Sequence, residues 1–382
     1  MPAGHEFLRV MLVDDSAVIR SITRRWLTAE PDLEVVASCA NGLHAVRKIK
    51  MVQPDVVVLD IEMPEMDGLT ALPELLKLMP DVKVIMSSTL TQRNAGISFK
   101  ALSLGAADYI AKPESISGAN GASDFSRLLV EKVRALGLAR REKVADLSPT
   151  PSARRPGTTQ KSGTLSKAKM LEAVRPGPAP DVSLRPASRV VPQIIAIGSS
   201  TGGPQALLAV VSGLDCKKSP PIVITQHMPK TFTAILADHL TKGTDFACAE
   251  GETGQVLERG HVYVAPGDYH MEIVADGKER KLKLTQEPAE NYCRPSVDPM
   301  FRTIAALYGP AVLAVMLTGM GHDGLEGAGA VCDAGGTLIA QDKETSVVWG
   351  MPGAVAQAGL CSKILPLKKI SSEMNHFMQG QR

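Results

Sequence analysis

Short apolar runs alternate with amphipathic stretches from residue 10 onward. The runs fall at 10–13, 35–37, 56–59, 82–86 and 108–111, and the amphipathic stretches at 16–29, 43–50, 68–78, 95–104 and 124–138. A few consecutive apolar residues suit a strand buried on both faces, and segments of helical spacing between such runs complete βα units. Five in succession predict a doubly wound parallel sheet. The periodicity fails after Leu138. From there to residue 190 the chain is rich in Pro, Ser, Gly, Ala, Thr and basic residues. Such a segment cannot bury enough apolar area to order itself and reads as a flexible basic linker. Past residue 191 the alternation returns, with strand-like runs at 194–198, 222–226 and 312–317. The expected fold class is α/β: a domain over 1–138, a linker over 139–190 and a domain over 191–382, each domain a doubly wound parallel sheet.

Composition narrows this picture. The 382 residues suffice for two or three domains, and aromatics are only 4%, so the cores must be aliphatic. Lys and Arg number 42 against 40 Asp and Glu. That balance gives no whole-molecule field toward nucleic acid or membrane, and the linker has no interleaved aromatics for base stacking. Cys39, Cys216, Cys248, Cys293, Cys332 and Cys361 lack metal-ligand or C-x-x-C spacing. They read as reduced core residues. No apolar run is long enough for a signal peptide or a bilayer span, so the expectation is a cytoplasmic protein with no nucleic-acid partner and no direct membrane insertion.

In a doubly wound sheet, sites form beyond the C-terminal strand ends. In the first domain Asp14 and Asp15 follow the first strand, Asp60 the third, Ser87 the fourth and Lys112 the fifth. Three carboxylates brought together repel one another unless a cation sits among them, and an all-oxygen set suits Mg²⁺. A lysine beside them can pair with a phosphoryl group carried by one carboxylate. A lone strand-end Asp is more often a helix cap, which is a fair account of Asp15 before Ser16.

In the second domain the stretch IIAIGSSTGGP (194–204) has a strand–turn–helix pattern and matches G-x-S-x-G at Gly198, Ser200 and Gly202. A glycine-rich turn before a helix can equally hold a phosphate on its free N–H groups. The run 222–226 ends at His227, and 312–317 leads into TGMGHDG with Asp323. A serine hydroxyl needs a base to take its proton, and a carboxylate fixes the tautomer of that base, so Ser200, His227 and Asp323 can form a nucleophilic trio. Their order, Ser, His, Asp, differs from that of ordinary α/β-hydrolases. His322, His261 and His270 are competing bases, and His239, inside a helix-like run, is expected at the surface.

The segments VDDSAVIR, LDIEMPEMDG, MSS and YIAKP resemble the flavodoxin-like receiver domain of bacterial two-component response regulators. The segments IGSSTGGP, TQHMP, VYVAPGDYHM, RPSVD and LTGMGHDG resemble the Rossmann-like catalytic domain of the chemotaxis protein-glutamate methylesterases. The first resemblance implies Asp60 as phosphoacceptor, Asp14, Asp15 and the Glu62 carbonyl with it around Mg²⁺, and Ser87, Tyr109 and Lys112 as the switch residues. The second implies nucleophile Ser200, base His227, orienting acid Asp323 and Met320 N–H as oxyanion donor, with Thr201 and Arg294 in the cleft and no cofactor. Ser199 is the neighbouring choice for nucleophile. Together they imply hydrolysis of glutamate methyl esters, and deamidation of glutamine, on the cytoplasmic helices of chemoreceptors, activated by phosphate from a histidine kinase. Two other readings remain at this stage: a noncatalytic module that holds a phosphorylated ligand on GSSTGGP, and a transcriptional regulator, against which stands the lack of a helix-turn-helix pattern.

Overall fold

A computed structural model describes residues 7–89, 91–112, 119–146 and 183–380. The first half runs β1 (Leu8–Val13), α1 (Ala17–Thr28), β2 (Leu33–Cys39), α2 (Gly42–Val52), β3 (Val56–Asp60), α3 (Gly68–Leu78), β4 (Lys83–Thr89), α4 (Gln92–Ser103), β5 (Asp108–Lys112) and α5 (Ala119–Asp146). The strands form one parallel sheet in the order β2-β1-β3-β4-β5. Every residue of β3 is buried, which is why the strand reads as an unbroken apolar run. Ser16, Asn41 and Asp67 start α1, α2 and α3 by accepting hydrogen bonds from the amides of Ile19, His44 and Thr70.

The helix expected to end at Leu138 continues to Asp146. Its added turns are polar and are held by ion pairs rather than an apolar face. Arg140 and Arg141 meet the two oxygens of Asp55 at 2.6 and 2.7 Å. Further on, Glu142 meets Lys343 at 2.8 Å and Lys143 Nζ donates to the Ser346 carbonyl at 3.0 Å, both in the second half. Most of the expected linker, 147–182, lies outside the described residues.

The second half runs β6 (Ile194–Ser199), α6 (Gly203–Val211), β7 (Ile222–Gln226), α7 (Phe232–Gly243), β8 (Ala247–Glu250), β9 (His261–Val264), β10 (His270–Asp276), β11 (Glu279–Thr285), α8 (Val297–Tyr308), β12 (Val312–Met316), α9 (Leu325–Asp333), β13 (Thr337–Gln341), α10 (Met351–Gln357), β14 (Lys363–Leu365) and α11 (Leu367–Met378). Seven strands form a parallel sheet in the order β14-β13-β12-β6-β7-β9-β8. The antiparallel hairpin β10–β11 was not anticipated from the apolar pattern. The central strands β12, β6 and β7 are neighbours, so their C-terminal ends, which lead to Asp323, Ser200 and His227, share one edge of the sheet.

The first sheet packs on that edge. The Tyr109 ring of β5 stacks on Phe232 at the start of α7, with centroids 4.5 Å apart and planes 5° from parallel. Gln205 of α6 donates to the carbonyls of Leu102 and Ala106 at 3.0 and 3.2 Å. His239, expected at the surface, is half-buried because its ring lies 5.8 Å from that of Phe99 across this junction.

Candidate active site and acidic pocket

The first-half strand ends bring carboxylate oxygens of Asp14, Asp15 and Asp60 within 4.8 Å of one another. Asp14 and Asp60 are buried and Asp15 is exposed. Lys112, at the end of β5, reaches Asp14 Oδ2 at 2.7 Å and Asp60 Oδ1 at 2.8 Å. Burial pushes the Asp60 carboxyl up to about 6; Lys112 pulls it back and Asp14 adds to the rise. Burial also works against the Lys112 charge, but Asp60 and Asp14 outweigh it and raise the lysine above its ordinary value. Ser87 is buried and pairs in register with Asp60 across β3 and β4. Glu62 is exposed and shares a surface recess with Asp15. Three carboxylates converging with no softer ligand form a donor set suited to a hard divalent cation.

In the second half, β6 delivers a turn whose two serines differ. Ser199 is fully buried and donates to Gln226 Oε1 at 2.7 Å. Ser200 lines a cavity of about 1080 Å³ with His227 and Asp323, and its hydroxyl makes no hydrogen bond with a described residue. The turn depends on Gly202, which has a φ of 77° and would drive a Cβ into Val347. Gln226 also donates to the Ser200 carbonyl at 2.9 Å, fixing the turn against the end of β7. One residue on, His227 Nε2 lies 2.6 Å from Asp323 Oδ2.

Asp323 is held on every side. Its Oδ1 accepts from Ser296 Oγ at 2.6 Å and Asn291 Nδ2 at 3.0 Å, and its Oδ2 accepts from the Val297 amide at 2.7 Å. Burial works to raise this carboxyl, but His227, Ser296 and Val297 outweigh it and hold it below the usual carboxylate range. Met320 lines the same cavity. Its loop presses on the serine, since a Cβ on Gly319 would lie 2.9 Å from Ser200 Cβ.

Among the described residues none of the competing histidines hydrogen-bonds Ser200 or Asp323. His270 is buried between the Pro288 carbonyl and the Ser296 amide, His261 stands on β9 beside the Arg259 carbonyl, and His322 is exposed at the cavity. Arg294 lines the cavity but its guanidinium is tied to Asp268 at 2.6 Å. Thr201 turns away toward the other sheet, where its hydroxyl donates to Asp108 Oδ2 at 2.6 Å. Helix α5 forms the opposite cavity wall through Phe125, Leu128 and Leu138, and Arg127 lies over the Tyr292 ring at 4.6 Å.

Ser296, Asn291, Asp298 and Gln226 were given no role in the sequence reading, and Cys293, read there as a core residue, is half-buried at the cavity wall. Ser296 and Asp298 lie inside RPSVD, a motif noted without roles for those two residues. Asp298 is buried behind Asp323, accepts from the Gly327 amide at 2.6 Å and shares the Asn291 amide with it. A carboxylate and a small hydroxyl flanking a helix start were the available signal.

These two sheets define a class: an α/β unit with an acidic strand-end pocket and a lysine, docked over the strand-end edge of a parallel α/β unit bearing Ser, His and Asp. Residues 10–118 match the response regulator receiver domain family and residues 195–374 the CheB methylesterase family. The chain is 52% identical over 369 residues to protein-glutamate methylesterase/protein-glutamine glutaminase 1 of Rhodospirillum rubrum, covering 96% of this chain and 94% of that one. It is 50% identical over 383 residues to the protein-glutamate methylesterase/protein-glutamine glutaminase of Azospirillum brasilense, covering 98% and 94%. The crystal structure of the Thermotoga maritima CheB methylesterase catalytic domain is 41% identical and covers 49% of this chain and 99% of that one, with a TM-score of 0.48. The chain belongs to the protein-glutamate methylesterase/protein-glutamine glutaminase family.

Proposed function

We propose that this chain hydrolyses γ-glutamyl methyl esters on the cytoplasmic helices of chemoreceptors, giving glutamate and methanol, and deamidates glutamine at the same kind of position. The observation that carries this reading is the His227–Asp323 pair at 2.6 Å, sharing a cavity with a Ser200 hydroxyl that has no hydrogen-bond partner among the described residues, in a chain with relatives of that name matched over nearly their full length. Ser200 Oγ attacks the ester carbonyl and His227 takes its proton, with Asp323 steadying the imidazolium. The Met320 N–H meets the oxyanion. The C–O bond to methoxide then breaks, His227 returns the proton and methanol leaves. Water, deprotonated by His227, attacks the acyl-enzyme to release glutamate and free Ser200. For glutamine the leaving group is ammonia.

The first half is the control element, a receiver whose last helix extends to Asp146, with the linker after it. Asp60 is the phosphoacceptor, and a histidine kinase is the class of donor. Asp14, Asp15, Asp60 and the Glu62 carbonyl would hold Mg²⁺, which supplies charge neutralisation at the acyl phosphate when bound. A phosphoryl group on Asp60 adds charge and acceptor oxygens that draw Lys112 and Ser87. Tyr109 and Asp108, both on β5, are the residues through which that pull reaches Phe232 and Thr201. The reading suits a protein that meets the cytoplasmic part of its receptors; among the described residues no helix is long and apolar enough to cross a membrane.

The test is methanol release from a methyl-esterified receptor fragment, with and without a small phosphodonor and Mg²⁺. Wild type is expected to be stimulated by the donor, and Ser200→Ala to lose at least ~10³-fold in rate. Release that survives in Ser200→Ala would move the nucleophile elsewhere, and none from wild type under any condition would end the esterase reading.

A further inference from the structure

An imidazole has two nitrogens, and on His227 both are engaged by residues other than Ser200. Nε2 is engaged by Asp323 at 2.6 Å, so Nδ1 is the nitrogen left to accept the serine proton. Nδ1 lies 3.5 Å from Cys293 Sγ. Cys293 is well placed to stay there: its amide donates to the Glu290 carbonyl at 2.8 Å, its carbonyl accepts from Glu290 at 3.2 Å, and the adjoining Arg294 is anchored on Asp268. The sulfur is half-buried at the cavity wall that also holds Ser200.

We propose that Cys293 is a positioning residue that competes with Ser200 for His227 Nδ1 and keeps the base off the nucleophile while the receiver covers the site. This rests on the Ser200–His227–Asp323 reading. A thiol is a weak hydrogen-bonding partner, so the contact yields when an ester carbonyl draws Ser200 Oγ into line with Nδ1. The serine bond is the stronger of the two once formed.

The electrostatics point the same way. Burial works against the imidazolium, but the Cys293 sulfur and Asp323 outweigh it and raise His227 above its ordinary value. His322 and Arg294 share the cavity, Arg294 being paired with Asp268. From α5 come Asp124 and four further charged residues. Lys132 is paired with Asp108, Arg134 with Glu30 and Asp32, and Arg127 with Glu131. Among the described residues, Cys293 and Asp323 are the hydrogen-bond partners of the ring.

The experiment follows labelling of the full-length, unphosphorylated protein by a serine-directed fluorophosphonate across pH. Cys293→Ala and Cys293→Val both leave Nδ1 without a partner. Either folded variant is expected to label about threefold faster than wild type at pH 7, with the acid limb of the rate profile at lower pH. Cys293→Ser keeps a group that bonds Nδ1 and is expected to label within about twofold of wild type at pH 7. Labelling at the wild-type rate with an unmoved limb in both the alanine and valine variants would overturn the proposal, because a merely structural cysteine alters amplitude or stability and not that limb. Ser200→Ala separates the two readings: labelling that persists there removes the nucleophile assignment itself.

Discussion

Asp60 carries a buried carboxyl pushed up to about 6 from an ordinary 3.8, in contact with a lysine. The sign of that shift sets a prediction. Protons and a divalent cation compete for the same oxygens, so the folded protein holds the proton more tightly than an exposed aspartate and gives up cation affinity as pH falls through 6. Titrating Mg²⁺ by intrinsic fluorescence should show binding about tenfold weaker at pH 5 than at pH 7. Equal affinities would mean that Asp60 is already ionised at the lower pH. Lys112→Met removes the influence that pulls Asp60 down and should move the loss of affinity to higher pH. At the same scale, the sequence favoured Ser200 over Ser199 through the spacing of Gly198 and Gly202, but the separation of the two hydroxyls was not legible there. It comes from Gln226, twenty-seven positions from Ser199, whose Oε1 engages one hydroxyl and leaves the other facing the cavity.

Elements show where sequence legibility ends. The five βα units of the first half were legible because a strand buried on both faces must be apolar throughout, as β3 is. The last turns of α5 were not, because Arg140 and Arg141 belong there through Asp55, a partner from an earlier loop that helical periodicity cannot register. The hairpin β10–β11 carried a signal that was passed over: Asp276 pairs with Glu279, so Gly277 and Lys278 form the loop, and Gly277, at a φ of 57°, stands at its first position, where such turns favour glycine. The loop 318–324 was legible as a glycine-rich turn but not as a tight one. A methyl at Gly319 would sit 2.4 Å from Met351 Sδ and 2.9 Å from Ser200 Cβ. Gly319→Ala should therefore fold, since the clash is local, yet release methanol roughly 10- to 100-fold more slowly because the serine and the Met320 amide shift apart. A change in KM alone, with kcat intact, would contradict this.

At the scale of the whole molecule, β5 is the junction. Asp108 accepts from Thr201 of the serine turn and pairs with Lys132, while the adjacent Tyr109 stacks on Phe232 of the helix that follows the His227 loop. A hydrogen bond to a charged group contributes about 1.5–3 kcal/mol, enough to set how often the two halves part. Asp108→Ala changes no residue of the esterase half, though it frees the Thr201 hydroxyl, and should raise methanol release without phosphodonor by about tenfold, shrinking the stimulation the donor gives. Basal release unchanged from wild type, with the variant shown to be folded, would place the restraint elsewhere.

The end of α5 lies against the esterase half through Glu142 and Lys143, at the point where the chain leaves toward its linker. On the proposed reading the receiver restrains the esterase it is joined to, so that restraint is supplied with each enzyme in a fixed ratio of one to one. A covalently attached partner faces its site at an effective concentration of order mM, whatever the dilution outside. On that reading, covering the site again after phosphate is lost would be a first-order event, and the fraction of enzyme at work would track the phosphate signal and not the number of copies a cell happens to make.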